Sequence, residues 1–170
     1  MEKIVKVSGD DEFLGLEDKI KCHKGKGILH RGFSALVFNK KNQLLLTQRS
    51  RYKKLWPLFW DNSCASHPRK GESYVGAGKR RLREELGFSC GLREKGKFKY
   101  NVRYKNIGAE NETCAILTGR IGNKKIKPNK KEVASWKWVD FRKVREDISK
   151  NPRKYTPWLR IGIKKMKNKI

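Results

Sequence analysis

One apolar segment, GILHRGFSALVFN at residues 27–39, constrains the fold most strongly. Its apolar residues alternate at first and then run continuously, which is typical of a strand buried inside a sheet. The following KKNQ predicts a turn into QLLLTQR at residues 43–49, a second strand. Together the two strands predict a hairpin.

The next predicted element is an amphipathic helix. Ser73 is a suitable N-cap, and Gly87 is suited to end a helix that runs to about Leu86. Gly78 and Leu82 share its apolar side, whereas most of its basic residues face elsewhere.

Three strands and two helices are predicted after this helix. KFKYNVRY, ETCAILTGRI and EVASWKWVDF show strand-like alternation or a β-branched and aromatic content. FRKVREDISKNP and YTPWLRIGIKKMKN predict two terminal helices, the second entered through Pro157. Strands around an early helix, with helices closing the end, favour an α/β or α+β sandwich. Because there is no internal repeat and no long linker, we expect residues 1–170 to form one domain.

Cysteine usage and hydropathy favour an intracellular protein. The four cysteines have no paired spacing, and the first residues lack the apolar run of a signal peptide. No segment approaches the roughly 20 apolar residues of a membrane-spanning helix. We therefore expect a cytoplasmic protein with reduced thiols and no membrane span.

The formal net charge of +26 allows three interpretations: nucleic-acid binding, attraction of anionic substrates, or a lysine-rich surface. The basic residues are spread from Lys19 to Lys169 and are densest in IKKMKNKI, which is more typical of a solvated surface. No aromatic RNA-binding signature or helix-turn-helix pattern accompanies them. Nucleic-acid binding is therefore the weaker hypothesis.

The three histidines, His23, His30 and His67, all lie in or beside a loop or strand end. Glu110 and Glu112 are separated by one residue, so on a strand they point to the same side. A divalent metal would satisfy both sets, because imidazole binds borderline metals and paired carboxylates repel each other without a cation. The residue types alone leave two alternatives: solvated glutamates with unliganded histidines, or a Cys2His2 zinc site of abnormal spacing.

Several segments, in this order, resemble the type I isopentenyl-diphosphate isomerases, members of the Nudix-fold superfamily. They are LHRGFSALVFN, LLLTQRSRYKKLWPLFWDNSCASHPRKGES, RRLREELG, ENETC and TPW, within a family core of about residues 14–165. The resemblance implies a Nudix-type α/β/α sandwich with a mixed sheet and flanking helices. It also implies an enzyme that interconverts isopentenyl and dimethylallyl diphosphates. Such an enzyme takes a small-molecule prenyl diphosphate as substrate, and we expect it to be a monomer.

The same resemblance assigns the site residues. The family's metal site of three histidines and two glutamates, for Mn²⁺ or Zn²⁺, corresponds to His23, His30, His67, Glu110 and Glu112. A second site, for Mg²⁺ and the substrate diphosphate, corresponds to Glu85 and the backbone carbonyl of Ala65. The residues that match the family's diphosphate-binding cations are Lys19, Arg49, Lys53 and Arg81.

The Nudix hydrolase box is degenerate in this chain. Glu72, Glu84 and Glu85 keep the register of the box. Ser66 replaces its leading glycine, and Arg81 replaces the first glutamate of its helix. This pattern resembles the isomerase branch and argues against ordinary nucleoside-diphosphate hydrolysis.

Moving a carbon–carbon double bond requires a proton added at one carbon and removed from another, so acid and base stand on opposite sides of the substrate. By resemblance, one side is Glu112, assisted by Tyr100 or by Tyr104 on the same alternating face. Trp158 matches the ring that shields the cationic intermediate, and Trp60 is a candidate second wall of the pocket.

The other side is a cysteine in the family, and Ala65 occupies its position here. A methyl group cannot exchange a proton, so we expect impaired isomerisation with metal and diphosphate binding retained. Three explanations are open. The alanine is an engineered replacement, or Cys64 substitutes for the thiol, or the scaffold performs other chemistry on prenyl diphosphates, such as cyclisation, ionisation or hydrolysis.

Overall fold

The computed structural model describes residues 2–166, and these residues form one mixed β-sheet with helices on both faces. In chain order the elements are β1 (Lys3–Val7), β2 (Phe13–Asp18), α1 (Lys19–Cys22), β3 (His30–Phe38), β4 (Gln43–Arg49), β5 (Trp60–Asp61), β6 (Cys64–Ser66), α2 (Tyr74–Leu86), β7 (Leu92–Tyr104), β8 (Gly108–Arg120), β9 (Val133–Asp140), α3 (Phe141–Lys150) and α4 (Pro157–Lys165), with a 3-10 turn at Pro152–Lys154. The prediction of an α/β/α sandwich with a mixed sheet is confirmed.

Strand β3 is the centre of the sheet. It runs parallel to β8 along its whole length, from the pair His30 and Glu112 to the pair Phe38 and Arg120. On its other edge it pairs with β6, where Ser34 lies beside Ala65. A strand that is apolar on both faces suits this position, since both faces are covered.

The predicted hairpin is correct only at its turn. Strands β3 and β4 pair at Phe38 and Leu44 alone, and β4 then pairs with β9 along its length. The turn brings the two strands together, but β6 and β8 occupy the edges of β3, so β4 completes its ladder elsewhere. The turn residues therefore indicated where two strands meet and not how far they pair.

Alternate residues of β3 enter two different cores. Leu36 and Phe38 pack on the face covered by α3 and α4, whereas Ala35 and Val37 pack on the face covered by α2. Parity thus places His30, with Leu36 and Phe38, on the α3/α4 face.

Helix α2 has the predicted ends. The Ser73 side chain accepts a hydrogen bond from the Gly76 amide, and Gly87 adopts the left-handed conformation with φ 73°. Gly78 and Leu82 are buried on the side that faces the sheet.

The predicted secondary structure differs from the observed elements near both ends of the chain. Elements β1, β2 and α1 were not predicted, because their apolar residues are few and interrupted by charge. The second terminal helix ends at Lys165, and residues 167–168 of its predicted range lie outside the described residues.

Within residues 2–166, every helix is too short or too polar to span a membrane.

Candidate active site

Three histidines from separate elements converge at one end of the sheet. His23 follows α1, His30 begins β3, and His67 follows β6. Their ring centroids lie 4.8 to 5.2 Å apart. The parallel pairing of β3 with β8 brings Glu112 directly beside His30. The sequence prediction that these residues meet is consistent with this geometry.

Backbone carbonyls orient two of the rings. His23 Nδ1 donates to the Lys19 carbonyl at 2.6 Å, and His30 Nδ1 donates to the Ile28 carbonyl at 2.7 Å. Each bond leaves Nε2 as the nitrogen with the free lone pair. A second-atom hydrogen bond of this kind orients histidines that bind metals.

Glu110 and Glu112 point to the same side of β8, as predicted, and both are buried. Glu110 Oε2 lies 2.9 Å from His23 Nε2. Glu112 Oε1 lies 3.1 Å from His67 Nε2 and 3.6 Å from His30 Nε2. Its second oxygen accepts a hydrogen bond of 2.8 Å from the Tyr100 hydroxyl. Glu112 therefore connects the histidine group with Tyr100.

The donor set fits a divalent cation. One ligand atom from each of His23, His30, His67 and Glu110 lies within 4.8 Å of all the others. Among the described residues, His30 Nε2 and Glu110 Oε2 are buried without a hydrogen-bond partner. The contact of 2.9 Å between Glu110 Oε2 and His23 Nε2 brings two lone pairs together, because the His23 proton lies on Nδ1. Unpaired buried polar atoms are costly, and a cation among them would satisfy both. Glu112 borders this group of four.

Burial and neighbouring charge shift the pKa values of the acid–base groups here. Burial alone would raise the pKa of Glu112, but the hydrogen bond from His67 and the neighbouring His30 outweigh it and lower the pKa. Burial lowers the pKa of His67 to about 4, so its imidazole is neutral at pH 7. Burial and the nearby Glu112 raise the pKa of Tyr100, so its hydroxyl stays protonated.

A cavity of about 550 Å³ opens above this cluster. The four predicted cations that line it are Lys19, Arg49, Lys53 and Arg81. Each already has a carboxylate partner: Glu2 for Lys19, Asp61 for Arg49, Glu132 for Lys53, and Glu84, Glu85 and Glu132 for Arg81. The cavity therefore combines metal-type ligands at its floor with fixed cations on its wall.

Glu85 lies apart from the histidine group. Its buried carboxylate accepts hydrogen bonds from Arg81 Nε and Nη2, at 3.1 and 2.6 Å, and does not line the cavity. Burial raises its pKa. Its role as a ligand of the second metal, Mg²⁺, stays a prediction.

Ala65 and Cys64 are neighbours on β6 and face opposite sides of the sheet. Ala65 lines the cavity, whereas Cys64 points into the core on the α2 face and is 1% exposed. Burial raises the pKa of Cys64 well above its ordinary value. The explanation that Cys64 substitutes for the missing thiol is therefore wrong, because alternate residues of a strand face opposite sides.

The structure shows where the predicted aromatic residues lie, and their roles in the reaction stay predictions. Tyr100, and not Tyr104, contacts Glu112, since the Tyr104 ring packs against Trp56 and Phe59. Trp158 lines the cavity as predicted.

Trp60 is not among the residues that line this cavity. It is partly buried, and the Lys137 ammonium lies 4.0 Å from its ring centroid. Its predicted role as a second wall is wrong, because its ring packs against the core on the α3/α4 face and under Lys137 instead.

Three residues at the site were not identified from the sequence. Gly32 lies under the Glu112 carboxylate, Asp61 binds Arg49, and Glu132 binds both Lys53 and Arg81. Only the glycine inside an otherwise apolar strand offered a signal, since it marks a close approach.

Comparisons with known proteins show which families and folds this chain is similar to. The NUDIX domain family model matches residues 28–159. The isopentenyl-diphosphate Delta-isomerase of Haloarcula marismortui is 35% identical over 96% of this chain and 90% of its own length. The enzyme of the same name from Nocardia farcinica is 40% identical over 81% of this chain and 79% of its own length. A crystal structure of DR0079 from Deinococcus radiodurans superposes with a TM-score of 0.79 at 19% identity, covering 98% of this chain and all of that one.

Proposed function

The chain belongs to the isopentenyl-diphosphate Delta-isomerases of the Nudix superfamily, and from this premise we propose how its cavity performs that reaction and what Ala65 changes. The protein is an isomerase-type enzyme that interconverts isopentenyl and dimethylallyl diphosphates. The convergence of His23, His30, His67 and Glu110 beneath a basic cavity is the observation that supports this reading of the site.

The basic wall holds the diphosphate of the substrate. Arg49, Lys53 and Arg81 supply fixed positive charge, and their carboxylate partners keep them in place before substrate arrives. Arginine forks and lysine ammonium groups pair well with phosphate oxygens. The five-carbon chain then lies towards Tyr100, Glu112 and Trp158.

The three histidines, with Glu110 and Glu112, would hold a divalent Mn²⁺ or Zn²⁺. Glu85 and the Ala65 carbonyl would contribute to a Mg²⁺ site when diphosphate is bound. Bound there, such cations would neutralise part of the diphosphate charge and would compensate the buried carboxylates.

Glu112 and Tyr100 are the proton-transfer groups on one side of the substrate. The low pKa of Glu112 keeps it ionised as a proton acceptor, and the Tyr100 hydroxyl donates to it at 2.8 Å. The Trp158 ring excludes water and presents its π face to the tertiary cationic carbon.

The opposite side lacks a proton-transfer group at Ala65. Since Cys64 lies in the other core, it does not replace that group, and we expect low turnover with substrate binding retained. General acid–base groups contribute about 10² to 10⁴-fold to rate, and we expect a loss of this order.

The test is Ala65→Cys, assayed with isopentenyl diphosphate in heavy water by NMR. We expect at least about a 100-fold gain in isomerisation, with deuterium entering the product. Cys64→Ala is the matched control and should leave turnover unchanged. No gain in Ala65→Cys would show that the missing thiol is not what limits this enzyme.

The same assay tests the alternative that the scaffold performs other chemistry on prenyl diphosphates. Release of phosphate without deuterium incorporation would identify hydrolysis. Arg81 in place of the first glutamate of the hydrolase helix, and its ion pairs with Glu84 and Glu85, count against that outcome.

A further inference from the structure

One buried carboxylate behind the cavity wall makes an unusual set of contacts. Asp61, at the end of the short strand β5, is 3% exposed. Its Oδ1 accepts hydrogen bonds from the Trp158 indole at 2.7 Å, from the Thr156 hydroxyl at 2.9 Å and from the Asn62 amide at 2.8 Å. Its Oδ2 accepts one from Arg49 Nη1 at 2.9 Å.

Asp61 therefore joins two groups with different tasks. Trp158 is the ring proposed to face the cationic carbon, and Arg49 is a proposed diphosphate ligand. The Arg49 guanidinium carbon lies 5.1 Å from the Trp158 ring centroid. A single anion fixes both the ring and the cation beside it.

The remaining contacts of Arg49 tie it to the loop that supports Trp158. Its Nε and Nη2 donate to the carbonyls of Trp56 and Leu55 at 3.0 and 2.9 Å. The Trp56 ring packs edge-on against Trp158, with 5.1 Å between centroids. Much of the guanidinium is thus committed to the protein, and Asp61 compensates its charge.

This arrangement has an electrostatic consequence at the face of the indole. Without a compensating anion, Arg49 would repel the cationic intermediate from Trp158, because the guanidinium and the intermediate would both interact with the same indole ring. Asp61 offsets part of the Arg49 charge, and its charge-assisted bond to the indole N–H increases the electron density of the ring. Both effects favour a cation over a neutral group in the cavity, and neither requires a contact with substrate.

We propose that Asp61 is a positioning residue that makes the Trp158 face selective for the positively charged intermediate over the neutral substrate. The inference rests on the proposed function, because it assigns a role to Trp158 in that reaction. A purely structural Asp61 would instead affect the binding of neutral and cationic ligands equally.

The test compares two ligands on Asp61→Asn by titration calorimetry, with the metal-loaded protein. One ligand is isopentenyl diphosphate, and the other is a diphosphate that carries a tertiary ammonium group in place of the reacting carbon. We expect Asp61→Asn to weaken the ammonium ligand by about tenfold and isopentenyl diphosphate by less than about threefold. Equal losses, or no loss for the ammonium ligand, would overturn the proposal.

Two controls make the result specific. Thr156→Val removes another hydrogen bond to the same Asp61 oxygen without changing charge, and it should keep the ratio of the two affinities. In Trp158→Phe, which retains an aromatic ring but lacks the indole N–H, Asp61→Asn should change that ratio less than it does in the parent. An undiminished change in the Phe background would contradict a role through Trp158.

The failure of the proposed function has a different signature. If the parent protein binds neither ligand, the proposed function fails, and the inference that rests on it fails as well. If the parent binds both and Asp61→Asn weakens them in parallel, only the inference fails. Thermal unfolding of Asp61→Asn separates a loss of fold from both outcomes.

Discussion

Gly32 shows how a single missing side chain shapes the site. A Cβ at this position would lie 2.1 Å from Glu112 Oε2 and 2.2 Å from Glu112 Cδ. Glu112 is held by His67 and Tyr100, so it cannot move aside without breaking these contacts. We expect Gly32→Ala to weaken Mn²⁺ or Zn²⁺ binding by about 10 to 100-fold, as for other disturbances of groups that orient metal ligands.

Calorimetric metal titration of Gly32→Ala measures this effect. Gly122→Ala is the control, because a Cβ there would meet no atom within 4 Å. If Gly32→Ala binds metal as the parent does, Glu112 is not needed at the position it occupies.

The lowered pKa of the Glu132 carboxyl predicts that the stability of the protein depends on pH. Burial alone would raise its pKa, but Lys53 and Arg81 outweigh that effect and lower the pKa from 4.5 to about 2. A lowered carboxyl pKa contributes stability that is complete above about pH 4.5 and is lost as the pH falls towards 2. With a side chain that is 25% exposed, we expect Glu132→Gln to cost on the order of 2 kcal/mol at pH 7.

Urea unfolding at several pH values measures this difference between Glu132→Gln and the parent. The difference should shrink below about pH 4.5. Glu84→Gln removes another partner of Arg81, but from a side chain that is 38% exposed, so it should cost less than about 0.5 kcal/mol at any pH. A pH-independent difference for Glu132→Gln would contradict this assignment.

The stability of helix α2 depends on the glycine that ends it. Gly87 has φ 73°, and a Cβ there would also lie 2.9 Å from Lys127 Cβ and 3.2 Å from the Lys127 carbonyl oxygen. Gly71 has φ 74° but nothing within 4 Å. We expect Gly71→Ala to cost about 1 to 2 kcal/mol for the left-handed backbone alone, and Gly87→Ala to cost more because it adds the clash.

Chemical denaturation of the two variants separates these contributions. Equal losses would mean that the segment at Lys127 yields freely. A larger loss in Gly87→Ala should be accompanied by weaker diphosphate binding, because α2 carries Arg81 into the cavity.

Elements with local signals could be predicted from the sequence, and pairings between distant segments could not. Ser73 and Gly87 fix the ends of α2 through contacts within a few residues, so its limits were predictable. The pairing of β3 with β8 joins residues about 80 positions apart and is determined by packing on both faces of the sheet.

The residues of the site also fall into those that the sequence could identify and those that it could not. Matching motifs identified the histidines and Glu112. Asp61 and Glu132 act through partners that are distant in the chain, and their residue type alone carried no signal.

At the scale of the whole molecule, we expect the net charge to act on substrate capture. With a net charge of +26, the protein should attract a diphosphate from beyond contact distance, and salt should screen this attraction. The exposed Lys40 and Lys41 test it, because they lie past the far end of β3, about 26 Å along the strand from His30. Lys54 lines the cavity and serves as the local comparison.

We expect the double change Lys40→Glu and Lys41→Glu to weaken binding of isopentenyl diphosphate at 10 mM salt, where the screening length is about 30 Å. The effect should vanish at 150 mM salt, where that length is about 8 Å. Lys54→Glu should weaken binding under both conditions, since its charge lies at the cavity itself. If the double variant matched the parent at 10 mM salt, local cavity charge alone would account for diphosphate capture, and the wider basic surface would have no part in it.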